Sequence, residues 1–191
     1  MDRVKQVTTP LSGGVLEELR AGDRVLLSGE VYTARDAAHR RLVELMEAGR
    51  ALPVDLRDRV IYYVGPCPAK PGQPIGSCGP TTSGRMDTYT PRLLEAGLKG
   101  MIGKGVRKPT VVEAIRRWRA VYFIAVGGAG ALLAKRVLSA QVVAFPELGP
   151  EAIFRLEVED FPVIVGIDTR GEDVYASAVA HYRISASRTQ G

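Results

Sequence analysis

The 191 residues contain no asparagine, and aromatic side chains make up only 6% of them. Asparagine is thermolabile, so its absence, with arginine outnumbering lysine, points to a GC-rich or heat-adapted source without separating the two. No apolar run is long enough and free enough of charge to span a bilayer. The opening MDRVKQVTTPLSGG lacks the apolar core of a targeting peptide. Cysteine occurs only at Cys67 and Cys78, too few thiolates to hold an iron–sulfur cluster. With no leader in front of them, these thiols are expected to be reduced and the protein cytoplasmic. The net charge of +5 is scattered rather than blocked, and aromatics are few, so neither nucleic acid nor membrane is an expected partner. Histidine occurs only twice, neither time in a glycine-rich loop, and no Ser-His-Asp arrangement is apparent. The chain alone looks like half a catalyst.

What is present suits one soluble domain over residues 1–191, with 46% hydrophobic and 25% charged residues. Residues 1–22 read as a polar lead-in and those after about 177 as a weakly ordered tail. Between them strand and helix patterns alternate. Residues 24–33 (RVLLSGEVYT) have strand composition, with Gly29 as a bulge, and 34–49 carry a helical spacing of apolar residues that stops at Gly49. Residues 60–64 form a short buried-type strand, followed by a long loop thick with Pro and Gly, a feature that tends to be functional. Further strands are expected at 100–105, 121–126, 141–145, 153–158 and 163–168, with an amphipathic helix at 110–120. Strands alternating with helices make the class α/β.

The stretch 75–89, IGSCGPTTSGRMDTY, sets small and polar residues around Thr81 and then delivers Arg85 and Asp87. Glycines permit close backbone approach, free N–H groups and hydroxyls suit an anion, and Arg85 adds a planar two-pronged donor. It reads as a carboxylate- or phosphate-binding turn. Arg35 follows a strand and opens a helix, the usual placement of a ligand-binding residue in α/β folds. His39, one turn on, reads as structural. Lys104 stands between Gly103 and Gly105 with its ammonium able to reach an anion. Three cations on separate turns suit a small dianion such as a dicarboxylate, if they converge.

Two nucleotide-type patterns are incomplete. The GKG around Lys104 lacks the spacing of a phosphate loop, and in GGAGALL the third position of the dinucleotide fingerprint is Leu133. A stand-alone small-anion or nucleotide-binding module is therefore the rival from another class.

The segments YTARDAAH, YYVGP, PAKPG, IGSCGPTTSGRMD, MIGKG, VYFIAVGGAGALLAK, ELGPEAI and LEVEDFPVIV occur in one order between about residues 24 and 168. In them the chain resembles the β subunit of the two-subunit iron–sulfur hydro-lyases, the class I fumarases and L(+)-tartrate dehydratases. In single-chain members of that family the resemblance is to the C-terminal domain. The resemblance implies a layered, swivelling β/β/α domain. It also implies a hetero-oligomer in which a cysteine-rich α subunit, rather than this chain, holds a 4Fe–4S cluster. By the same resemblance Arg35, Arg85 and Lys104 contact the substrate carboxylates, and Thr81 lies beside the carbon that loses its proton. The implied reaction is reversible hydration of fumarate to (S)-malate, with L(+)-tartrate dehydration or mesaconate hydration as near rivals.

Overall fold

The computed structural model describes residues 4–178. Its strands are β1 (Lys5–Thr8), β2 (Arg24–Thr33), β3 (Val60–Tyr62), β4 (Gly100–Gly103), β5 (Val121–Ile124), β6 (Val137–Ala144) and β7 (Ile153–Ile167). Helices α1 (Gly13–Glu18), α2 (Asp36–Glu47), α3 (Thr90–Glu95), α4 (Pro109–Trp118) and α5 (Gly130–Ala134) intervene, with 3-10 turns at Ser83–Met86 and Pro146–Glu151. Local chemistry sets the boundaries. Pro109 stands in the first turn of α4, where its missing N–H has no intrahelical partner to lose. Gly49, just beyond α2, takes the left-handed conformation (φ 63) that ends the helix without strain.

The seven strands lie in the order β1-β2-β3-β4-β5-β7-β6, and β7 pairs with β2 as well as with β5. Five strands, β2, β3, β4, β5 and β7, therefore close into a ring, with β1 and β6 as flanks. Strands β1 to β5 run parallel and β7 antiparallel to its neighbours. Side chains alternate along each ring strand between two cores. Val60, Tyr62, Ile102, Val121 and Phe123 pack with Leu27, Leu156 and Phe161 in one. Ile61, Met101 and Tyr122 face the other, against Leu42 of α2, Leu93 and Leu94 of α3 and Ile115 of α4. The architecture is mixed α/β with a sheet-based core.

Two expectations need correction. The lead-in is not merely polar: it supplies β1, paired to β2, and α1, and Leu11, Leu16 and Leu19 are at most 1% exposed. The two late strands are one. β7 runs unbroken from Ile153 to Ile167, with a bulge opposite Ser28 between the Leu27–Phe161 and Gly29–Val158 pairs. There Asp160 adopts φ 49 and its N–H donates to Ser28 Oγ at 3.0 Å. The expected weak order after about residue 177 falls almost wholly outside the described residues.

Because β2 to β5 are parallel, the segments that follow them leave from one edge of the sheet, where open α/β sheets bind ligands. Arg35 follows β2, Gly65 follows β3, Lys104 follows β4 and Gly127 follows β5.

Candidate functional site

Arg35 occupies the N-cap of α2 in an extended conformation. Its guanidinium lies against Gly65: a Cβ there would come within 2.6 Å of Nη1 and 3.2 Å of Cζ. Glycine at this place is what lets the arginine lie along the end of β3. Nη2 donates to Glu151 Oε1 at 2.9 Å, while Nε is buried without a partner.

Arg85 projects from the 3-10 turn Ser83–Met86, with half of its side chain exposed. Its Nε and Nη2 donate to Asp36 Oδ1 and Oδ2 at 3.1 and 2.7 Å. Asp36 is the first residue of α2 and the neighbour of Arg35. The start of that helix thus brings both arginines together.

Thr81 is pinned to the end of β3, its N–H donating to the Tyr63 carbonyl at 2.7 Å. Thr82 then bridges in parallel to Lys104, and the Ser83 N–H donates to the Lys104 carbonyl at 2.9 Å. Ser83 nests so tightly over Gly103 that any side chain at 103 would collide with its hydroxyl. The Lys104 side chain passes over Gly127, where a Cβ would sit 3.5 Å from Cδ and 3.8 Å from Nζ. Among the described residues no carboxylate pairs with Lys104. The structure therefore joins Arg35 to Arg85 through Asp36, and Thr81 to Lys104 through Thr82. The end of β3 links the halves, with Tyr63 under Thr81 and Gly65 under Arg35; no described hydrogen bond runs from Lys104 to either arginine.

His39 is fully buried, with its ring 5.2 Å from that of Tyr63 in an edge-on arrangement. Its Nδ1 lies 2.8 Å from the Arg35 carbonyl, which can only accept, so Nδ1 carries the proton. Burial pushes its pKa down to about 4, and the ring stays neutral as a buttress to the Arg35 backbone.

Sequence reasoning passed over three partners. Neither Glu151 nor Asp36 stands out in the sequence as a partner of an arginine. Arg107 was not singled out, yet it is buried and donates through Nε to Asp87 Oδ1 at 2.7 Å and through Nη2 to Thr90 Oγ1 at 2.8 Å. Its guanidinium lies 4.9 Å from the Tyr122 ring and 5.4 Å from the Tyr63 ring. Asp87 Oδ2 also accepts the Lys108 N–H at 2.8 Å, tying the Arg85 turn to the segment after Lys104. The signal available in sequence was Asp87 itself, closing a glycine-rich turn.

The GGAG turn serves packing. A Cβ on Gly130 would meet Ser77 Oγ at 2.6 Å and the Gly79 nitrogen at 2.7 Å, and the Cys78 N–H donates to the Gly130 carbonyl. The long loop thus covers the start of α5, and Leu133 is buried. Cys67 is exposed and Cys78 buried, both unbridged, and burial pushes the Cys78 thiol up to about 11. Among the described residues no three His, Cys, Asp or Glu side chains are grouped to hold a metal, and two cysteines in the full sequence are fewer than the thiolates an iron–sulfur cluster takes. No helix among them is long and apolar enough to cross a membrane.

Comparison with known proteins places these features in a family. Over 166 residues the chain is 40% identical to Fumarate hydratase class I, anaerobic, of Escherichia coli K12, covering 86% of this chain and 30% of that protein. It is 37% identical over 177 residues to the L(+)-tartrate dehydratase subunit beta of the same strain, covering 90% of this chain and 87% of that one. The Putative L(+)-tartrate dehydratase subunit beta of Methanocaldococcus jannaschii is 38% identical over 166 residues, with 84% and 85% covered. The chain thus spans about 30% of the length of the fumarate hydratases it matches and most of the β subunits. The Fumarase C-terminus family matches residues 3–178, the whole ring of strands together with Arg35, Thr81, Arg85 and Lys104, and the chain belongs to that family.

Proposed function

We propose that the chain is the β subunit of a two-subunit hydro-lyase, foremost a fumarate hydratase, and contributes the cationic half of a shared site. The observation that carries this reading is the placement of Arg35, Thr81, Arg85 and Lys104 on the segments leaving one end of the parallel strands, with both arginines meeting at the start of α2. The two-subunit assembly is supported by relatives of similar length that are named as β subunits, whereas the fumarate hydratases match over a fraction of their length. Those same full-length matches favour L(+)-tartrate dehydratase as the second reading.

In this reading Arg35 and Arg85 each direct a planar fork at the substrate carboxylates, and Lys104 adds a point charge. Thr81, fixed by its backbone to the end of β3, presents its hydroxyl to the carbon that gains or loses a proton. A threonine hydroxyl is intrinsically a weak base, so it works only with the cations beside it stabilising the developing negative charge. A 4Fe–4S cluster would be held by the partner α subunit rather than by this chain, and would supply Lewis acidity toward the substrate hydroxyl. The closed sheet with its outer helices acts as a swivelling β/β/α domain, one unit over 1–191, that closes on the partner and excludes water.

The test is anaerobic mixing with a cysteine-rich α subunit, followed by assay with fumarate, L(+)-tartrate and mesaconate. Turnover is expected only in the mixture, greatest with fumarate. Inactivity of the assembled pair on all three would sink the reading, and tight nucleotide binding by the chain alone would favour the module. Thr81→Ala is expected to abolish turnover while leaving the KM within about threefold, since it removes a group that acts only in the transition state.

A further inference from the structure

An arginine serves a binding site when its fork is already held in place; left free, the side chain must give up its rotamer freedom on binding. Each arginine of the candidate site is held by a carboxylate. Glu151, closing the 3-10 turn before β7, accepts Arg35 Nη2 through Oε1 and the Ala37 N–H through Oε2, both at 2.9 Å. Ala37 lies in the first turn of α2, where N–H groups have no intrahelical acceptor. One carboxylate therefore ties the guanidinium to the helix that carries it.

Asp36 does the same for Arg85 from the other direction. It takes the Nε and Nη2 edge of the fork, which leaves the Nη1 end open among the described residues. Glu151, Arg35, Asp36 and Arg85 form a line of alternating charge that joins the turn before β7, the start of α2 and the TTSGRMD turn. Two of the site's three cations are thereby neutralised in place, and Lys104 stands uncompensated among the described residues. Recognition then depends on the geometry of two forks more than on surplus charge.

We propose that Glu151 and Asp36 are positioning residues that present Arg35 and Arg85 to a dicarboxylate as a preformed pair; this rests on the reading that those arginines bind the substrate. The competing possibility is that Glu151 is only a helix cap and Asp36 only a surface ion-pair partner. Glu151→Gln and Asp36→Asn keep the side-chain shape but put an amide where one donor must be accepted.

In the assembled enzyme each is expected to raise the KM for the dicarboxylate about 10-fold, with kcat changed less than about threefold. Melting temperature should stay within about 2 °C, because both ion pairs are still partly exposed and the amides keep the side-chain volume. The decisive measurement is non-additivity: Glu151→Gln should cost less than about twofold further in an Arg35→Met background, and Asp36→Asn likewise in Arg85→Met. Equal losses in both backgrounds, or lowered melting with KM unchanged, would overturn the proposal.

A readout independent of turnover is the affinity of the chain for succinate, a dicarboxylate that does not react, measured by calorimetry. If the assembled pair hydrates nothing but succinate affinity falls about 10-fold in Glu151→Gln through Arg35, the hydro-lyase reading fails and the positioning role stands. If turnover is present but neither KM nor succinate affinity depends on Glu151 or Asp36, the positioning role fails alone. A wild-type chain that neither binds succinate nor supports turnover ends both.

Discussion

Two arginine–aspartate pairs meet at one turn, through Arg85 and Asp87, and are opposite in kind. The side chains of Arg107 and Asp87 are at most 1% exposed, whereas the Arg85 side chain is 51% exposed and that of Asp36 is 27%. Arg107 has its donors engaged by Asp87 and Thr90 and its faces covered by Tyr63 and Tyr122. Nothing on it is left for a ligand. Arg85 has one edge of its fork engaged and the other free. The residue type and partner are the same, and Nε and Nη2 are engaged in both; what separates a structural guanidinium from a binding one is how completely the fold has covered it.

The sharpest way to break that contrast is to remove each arginine pair in turn. Arg85→Met is expected to lower kcat/KM of the assembled enzyme about 10³-fold, roughly 4 kcal/mol of transition-state stabilisation, because two charge-assisted bonds to a carboxylate are lost. Unfolding free energy should change by less than about 1 kcal/mol, as for other exposed pairs. Asp87→Ala should do the reverse, costing about 3–5 kcal/mol of stability in urea titration by leaving the Arg107 charge buried and alone. Equal effects of the two on stability would erase the distinction.

Next in size is Gly65→Ala. It sets a methyl within 2.6 Å of Arg35 Nη1 and should raise the KM about 10- to 100-fold by displacing the guanidinium, with the fold retained. An unchanged KM would show that Arg35 has freedom the packing denies it.

The smallest effect, silent at neutral pH, concerns His39. Folding holds it neutral with a pKa near 4 against an ordinary 6.5. The unfolded chain therefore takes up a proton below pH 6.5 that the folded chain refuses. This contribution to stability is complete above that pH, declines as pH falls toward 4 and levels off below it, with a slope of at most about 1.4 kcal/mol per pH unit. His39→Phe should flatten the decline in acid unfolding curves; an unaltered slope would assign it to other groups.

The interleaving of strands and helices was legible because each parallel strand is a short apolar run punctuated by glycine or proline. The bulge at Gly29 and the end of α2 at Gly49 were readable for the same reason, since positive φ leaves a mark in residue choice. Long-range pairing leaves no such mark. Arg107 sits between Lys104 and Lys108 in sequence, and only the fold brings Asp87 and two tyrosines around it. Glu151 is separated from Arg35 by most of the chain, so its role was invisible. Leu11, Leu16 and Leu19 were missed because their segment shows too brief a periodicity to declare a buried face.

Closure of the ring also bears on how the protein is made. Arg24 pairs with Ile164, and β5 finds its second neighbour only in the same late strand. A nascent chain leaving the ribosome therefore carries β2 and β5 with bare hydrogen-bonding edges until β7 has been translated. Such edges invite pairing with other chains, and contacts so distant in sequence form slowly. Release of β7, rather than formation of any helix, is the moment at which the edges of β2 and β5 are covered and only those of β1 and β6 stay open.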